Sequence, residues 1–249
     1  MNDQVCVSLA WARATGGALT DTQRQELRGK LFSGYRDFAR GMLTAPLRRP
    51  VAGLTVPEPP DSKLARTAEE AAQDQPEAFL NHGRRTWLFG SILAQVDGND
   101  VDSEALYVAS LLHDSGLVEQ VAGEDFTLRS AARAIDVCAT AGVDDDELTT
   151  ALADGIVAHL TPGLETEDTI LGYYIQAGAV ADLIGLRSWE IPNDIRKAAF
   201  LDHPSSNVFN ELPAAAAAEA AAVPEGRFAL LNRYGFGLAM RVSPMRRFA

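Results

Sequence analysis

The sequence predicts an all-α fold, and three observations carry that reading. Only one short segment, Val5-Cys6-Val7-Ser8-Leu9, reads as a strand. Helix-length segments with a capping residue in front and a glycine or proline behind recur along the chain. The stretch Ala214–Ala222, alanine apart from Glu219, is a strong helix former.

In order, Thr20 or Asp21 caps a helix running to about Met42. Pro46, Pro50, Pro57, Pro59 and Pro60 then impose an extended linker. Asp61 or Ser62 caps a short helix to Ala71, and Pro76 suits the first turn of the next, which runs to about Val96. The turn Asp97-Gly98-Asn99-Asp100 precedes a helix capped by Asp102 or Ser103 and ending at His113-Asp114, with Gly116 behind it. Further helices fit 128–141, stopped by Gly142, and 145–159, capped by Asp144 and stopped by Thr161-Pro162-Gly163. Others fit 166–184, stopped by Gly185, then 193–201 and 206–222. The boundaries expected from this are an N-terminal helical extension with a Pro-rich linker (1–75), a core (76–200) and a C-terminal helical extension packed on the core (201–249).

Composition narrows the function. The 249 residues hold 22 Lys+Arg against 34 Asp+Glu, a net charge of −12, which disfavours a general nucleic-acid or anionic-membrane binder. A chain of this length buries roughly three quarters of its unfolded surface and needs no disulfide to fold. Its two cysteines, Cys6 and Cys138, make no disulfide framework. With no run of 18 apolar residues and no basic leader ahead of an apolar one, a cytoplasmic protein is expected. The expected partner is a small-molecule substrate, neither nucleic acid nor membrane, with a homo-oligomer left open.

Chemistry concentrates in four positions. His113-Asp114 follows the helix Glu104–Leu112, apolar almost all round from Ala105, so both side chains are expected to be buried. A buried carboxylate beside a buried imidazole is costly without a partner, and a metal ion is one such partner. His82 shares a helical face with Thr86, Phe89 and Leu93. Asp182 lies in an apolar stretch with no charge for eight positions before it and none until Arg187 after it. His159 continues the stripe Leu148, Leu152, Ile156. Each has a plainer reading: a hydrogen-bonded core histidine for His82, an acid paired with Arg85 or Arg133 for Asp182, a helix-terminal histidine for His159. His203, before Pro204 in a polar loop, is expected to have no role in the site. Trp87, Phe89, Tyr107, Tyr173, Tyr174 and Trp189 fit either a pocket wall or core packing.

A His, then a His-Asp doublet, then a distant Asp, each on a separate apolar helix, resembles the HD-domain metalloenzyme superfamily. Leu111-Leu112-His113-Asp114-Ser115-Gly116 looks like its signature, and the resemblance covers about 78–190. It implies an HD-type helical bundle in which His82, His113, Asp114 and Asp182 bind a metal. Asn81-His82-Gly83-Arg84-Arg85-Thr86, Ala158-His159-Leu160-Thr161-Pro162-Gly163 and Gly178–Leu186 are similar to the cyanamide hydratase-type branch. The chain departs from that branch at Ser115, often Ile, and after Phe126, where Thr127-Leu128-Arg129 stands in place of an acidic residue.

Two imidazoles and two carboxylates suit one divalent transition metal: Zn first, with Fe, Mn or Co also compatible. The expected activity is that of a hydrolase or hydratase, with a metal-bound water attacking a small nitrile-, amide- or amidine-like substrate and His159 and Asp114 as catalytic groups. The alternatives are an HD-type phosphohydrolase acting on a nucleotide or phosphate ester, or a non-catalytic binding or signalling domain. Leu117 and Val118, uncharged where a phosphate enzyme of the superfamily often places a cation, weigh against the first, although Arg84, Arg85, Arg129 and Arg133 remain as cations. The four groups that are costly to bury weigh against the second.

Overall fold

The computed structural model describes residues 7–45, 51 and 53–248, and within these the chain is all-α, with twelve α-helices. They are α1 (Leu9–Thr15), α2 (Asp21–Thr44), α3 (Lys63–Ala72), α4 (Glu77–Asp97), α5 (Ser103–Leu112) and α6 (Phe126–Ala141). Then come α7 (Asp146–Ala158), α8 (Ile170–Leu183), α9 (Asn193–Asp202), α10 (Val208–Ala222), α11 (Arg227–Arg233) and α12 (Phe236–Arg241).

Caps account for most of the boundaries. The Thr20 hydroxyl accepts from Gln23 N while the Gln23 side chain accepts from Thr20 N, a reciprocal capping box that starts α2. Ser62, Asp102, Asp125, Asp145 and Thr169 cap α3, α5, α6, α7 and α8. The Thr169 cap explains why α8 begins at Ile170 and not near 166 as its apolar pattern suggests. Gly98 and Gly142 end α4 and α6 in the left-handed conformation.

The strand expected at Val5–Leu9 does not form across its described part. Ser8 caps α1, accepting from Trp11 N, and Leu9 N donates to Asp154 Oδ1 at 2.7 Å, so the segment turns helical against α7. Val5 and Cys6 lie outside the described residues, as do Pro46 and Pro50 of the linker, while 54–61 form no helix or strand.

α4 is the centre of the molecule. From Ala78 to Ala94 it is buried on every side except at Arg84. α8 makes the most extensive contact with it, α5 packs on another side, and α6 and α7 close the core behind α5. Two glycines set the closest approaches. A Cβ on Gly83 would lie 2.7 Å from Ser110 O, and one on Gly178 would lie 2.0 Å from Thr86 O. Without side chains at these two positions, α5 and α8 reach the backbone of α4 on either side of His82. α10 packs on α4, and α11 and α12 pack on α10. α2 buries only Leu27, in a small cluster with Leu19 and Leu230, and Gly41, against the ring of Trp189. No helix among the described residues is long and apolar enough to cross a membrane.

Candidate metal centre

Three histidines and one aspartate converge where α4, α5 and α7 meet. His82 sits in the second turn of α4, while His113 and His159 are the residues directly after α5 and α7. Both of these helix-terminal rings turn back on their own helix: His113 Nδ1 donates to Ser110 O at 2.7 Å and His159 Nδ1 to Ile156 O at 2.5 Å. The last carbonyls of a helix lack intrahelical donors, so each histidine satisfies one and is fixed by it. His82 Nδ1 donates to Asp182 Oδ2 at 2.7 Å. All three rings therefore carry a proton on Nδ1 and direct Nε2 elsewhere.

That direction is Asp114. Its Oδ2 lies 3.4 Å from His113 Nε2 and 3.7 Å from His82 Nε2, and its Oδ1 lies 3.8 Å from His159 Nε2. His82, His113, Asp114 and His159 are all buried. Among the described residues, His82 Nε2 and His113 Nε2 have no hydrogen-bond partner. Two orphaned ring nitrogens beside a buried carboxylate are costly as a purely structural arrangement. His82, His113 and Asp114 form a group with ligand atoms within 4.8 Å of one another, close enough to hold one metal ion.

Burial and the charge of His113 push the His159 imidazole down to about 3, so it is neutral at physiological pH. Burial also lowers His82, outweighing the pull of Asp182. His113 moves the other way: burial lowers it, but Asp114, the bond to Ser110 O and Asp182 together raise it by more. Burial would raise Asp114, yet His113, His82 and His159 together hold it well below the usual carboxylate range.

Asp182 stands behind His82, outside that group of three. Arg85 Nε donates to its Oδ1 at 2.7 Å and Arg85 Nη2 to its Oδ2 at 2.9 Å, while Oδ2 also takes the His82 proton. Arg85 is fully buried, donates through Nη1 to the carbonyls of His203 and Pro204, and stacks 4.5 Å over Phe200. The charge of Asp182 is thus answered by Arg85, and that of Asp114 has no guanidinium paired with it among the described residues. The His203 ring takes no part; only its carbonyl is used.

The group opens onto a cavity of about 770 Å³. α2 forms one wall, α8 and the turn after α7 another, and α11 and α12 a third. Sequence reasoning did not find α2 or Gln176 here: the charges of α2 follow no ligand or catalytic motif, and Gln176 is a single uncharged residue. Of the six aromatic residues weighed for a pocket, Tyr173 and Trp189 line it; Trp87, Phe89, Tyr107 and Tyr174 are core. Leu117 and Val118 form no part of its wall. The turn Ser115–Val118 carries the chain away, leaving Leu117 buried in the core and Val118 exposed. The four arginines offered as cations are engaged: Arg84 by Glu69, Arg85 by Asp182, Arg129 by Glu219 and Arg133 by Asp74.

No family model matches the chain, and no curated protein matches it. The chemistry of the site rests on its own geometry.

Proposed function

We propose that this chain is a metal-dependent hydrolase or hydratase of the HD-domain type, similar to the cyanamide hydratase branch, acting on a nitrile-, amide- or amidine-like carbon electrophile. The observation that carries the reading is the pair of orphaned Nε2 atoms on His82 and His113 beside Asp114. These three residues would hold one divalent ion, with Zn first among the metals that a mixed nitrogen and oxygen set accepts. When bound, such an ion supplies Lewis acidity and brings the pKa of a water towards neutrality.

The remaining groups have separate tasks. Asp182 holds the His82 proton on Nδ1, which keeps Nε2 available and raises the basicity of the ring. Arg85 keeps Asp182 ionised: burial would raise that carboxylate, and the charge of Arg85 and the bond from His82 lower it by more. His159, neutral and fixed through Nδ1, presents Nε2 as the acceptor for a proton from the attacking water and as its donor to the product nitrogen. A phosphate would need charge-assisted donors, and the four arginines that sequence reasoning offered are engaged elsewhere.

Elemental analysis of protein purified without chelator, paired with a screen of nitriles, amides and phosphate esters, tests this. The expected result is close to one transition metal per chain and turnover of a carbon electrophile. Efficient turnover of phosphate esters with nitriles and amides inert would overturn it, as would failure to take up Zn, Fe, Mn or Co.

A further inference from the structure

The cavity over Asp114 is much larger than a three- or four-atom nitrile requires. At about 770 Å³ it falls among pockets that hold drug-sized molecules. Its walls are largely apolar, with Leu31 and Phe38 from α2, Val180 from α8 and Phe228, Leu231 and Phe236 from the C-terminal helices. Among the described residues the charged groups on the wall are four carboxylates against three cations, and each of these cations has a carboxylate partner: Arg187 with Asp97 and Glu190, Lys30 with Glu26, Arg40 with Asp37. These paired cations offer an anionic ligand little, and the apolar wall gives a neutral apolar one burial.

One polar side chain on that wall has a fixed orientation. Gln176 Nε2 donates to His159 O at 2.6 Å and to Thr161 O at 2.7 Å. Both amide protons are spent on carbonyls, and carbonyls cannot donate, so the nitrogen must face them and the oxygen must face away. Gln176 Oε1 has no protein partner among the described residues and is not sealed from the cavity. The carbonyl of His159, the proposed proton carrier, thus helps to hold this acceptor facing outward. Such an acceptor selects a ligand with an N–H group over an isostere without one.

We propose that the cavity takes a neutral primary carboxamide with a bulky apolar body, its N–H donated to Gln176 Oε1. The reaction rests on the hydrolase reading above; the binding preference does not. In it, the oxygen of one water bonds to the amide carbon and the C–N bond breaks. One water proton passes to the leaving nitrogen, giving a carboxylic acid and ammonia.

The test uses the full chain, with and without chelator, titrated calorimetrically with three probes. 4-Phenylbutyramide has both features, 5-phenylpentan-2-one lacks the N–H group, and propionamide lacks the apolar body. Phenylbutyramide is expected to bind at least tenfold more tightly than either of the others. Gln176→Met is expected to bring the amide down to the affinity of the ketone while leaving the ketone unchanged. Equal wild-type affinities for amide and ketone would overturn the role of Gln176 with no variant needed, and an equal loss of both in Gln176→Met would do the same. Propionamide binding as tightly as phenylbutyramide would overturn the apolar body. Metal content and ammonia release are read separately. A metal-free protein that keeps the amide preference fails as a hydrolase and supports the ligand assignment; a metal-loaded protein without the preference does the reverse.

Discussion

His82 stands between two carboxylates with different tasks: Asp182 at 2.7 Å holds its proton, and Asp114 at 3.7 Å shares the side where a cation would sit. Replacing Asp182 therefore reaches the metal group through His82 and also strands the buried Arg85. Asp182→Ala is expected to lower metal affinity about 10–100-fold and to cost about 3–5 kcal/mol of stability. His203→Ala keeps the carbonyl that Arg85 uses and should change neither. Elemental analysis and urea denaturation of the two variants check this pair. Full metal occupancy in Asp182→Ala would make that acid purely structural. A second residue gives a pH-dependent expectation. Burial pushes the Tyr174 phenol up to about 12; the bond from Asn99 opposes this and the charge of Asp97 adds to it. An unfolded tyrosine ionises near pH 10, about two pH units earlier. The folded state thus binds the proton more tightly, and its contribution is complete below pH 10 and lost as pH rises towards 12. Tyr174→Phe should flatten that alkaline loss in denaturation midpoints measured from pH 9 to 12. An unchanged profile would show that the phenol titrates alike in both states.

Between elements, the site depends on how closely α5 and α8 approach α4. A methyl group on Gly178 would meet the carbonyl of Thr86 at 2.0 Å, and backbone cannot step aside as a flexible side chain can. Gly178→Ala is expected to cost about 1–3 kcal/mol or more and to displace Asp182 one turn further along α8. A urea midpoint equal to wild type would show that α8 is free to shift. This contact also marks what the sequence could and could not convey. Caps and glycine stops are local, so Asp102, Gly98 and Gly142 place their boundaries within a residue or two, and the cap expected at Asp144 falls one residue on, at Asp145. The Asp182 stretch reads as a buried acid awaiting a partner, and the sequence had named Arg85 as one of two candidates. Choosing between Arg85 and Arg133 needed the crossing of α4 and α8, which no periodicity within either helix reports. For His159, the plainer reading and the functional one merge: the bond to the carbonyl of Ile156 that makes it a helix-terminal histidine also aims its Nε2 at Asp114.

Across the whole molecule, the groups that could do chemistry and the walls that would choose a substrate come from different parts of the chain. The histidines and Asp114 lie within the segment 78–190, whose motifs are compact enough to read directly. Much of the cavity wall comes from α2, α11 and α12, outside that segment, where half-buried apolar residues look like ordinary helix faces. α2 is supported towards its two ends, by Leu27 and by Gly41 on Trp189, while Leu31, Tyr35 and Phe38 between them face the cavity. An isolated helix owes little of its order to propensity and most of it to the face it packs. Over this length α2 has a hollow where other helices have a core, so an apolar guest would act as the missing piece of its interior. Filling the cavity should then slow amide hydrogen exchange from about Lys30 to Gly41 more than in α4, whose packing is complete without a guest. Exchange in α2 that is indifferent to a bound guest would mean that the helix keeps its order unaided.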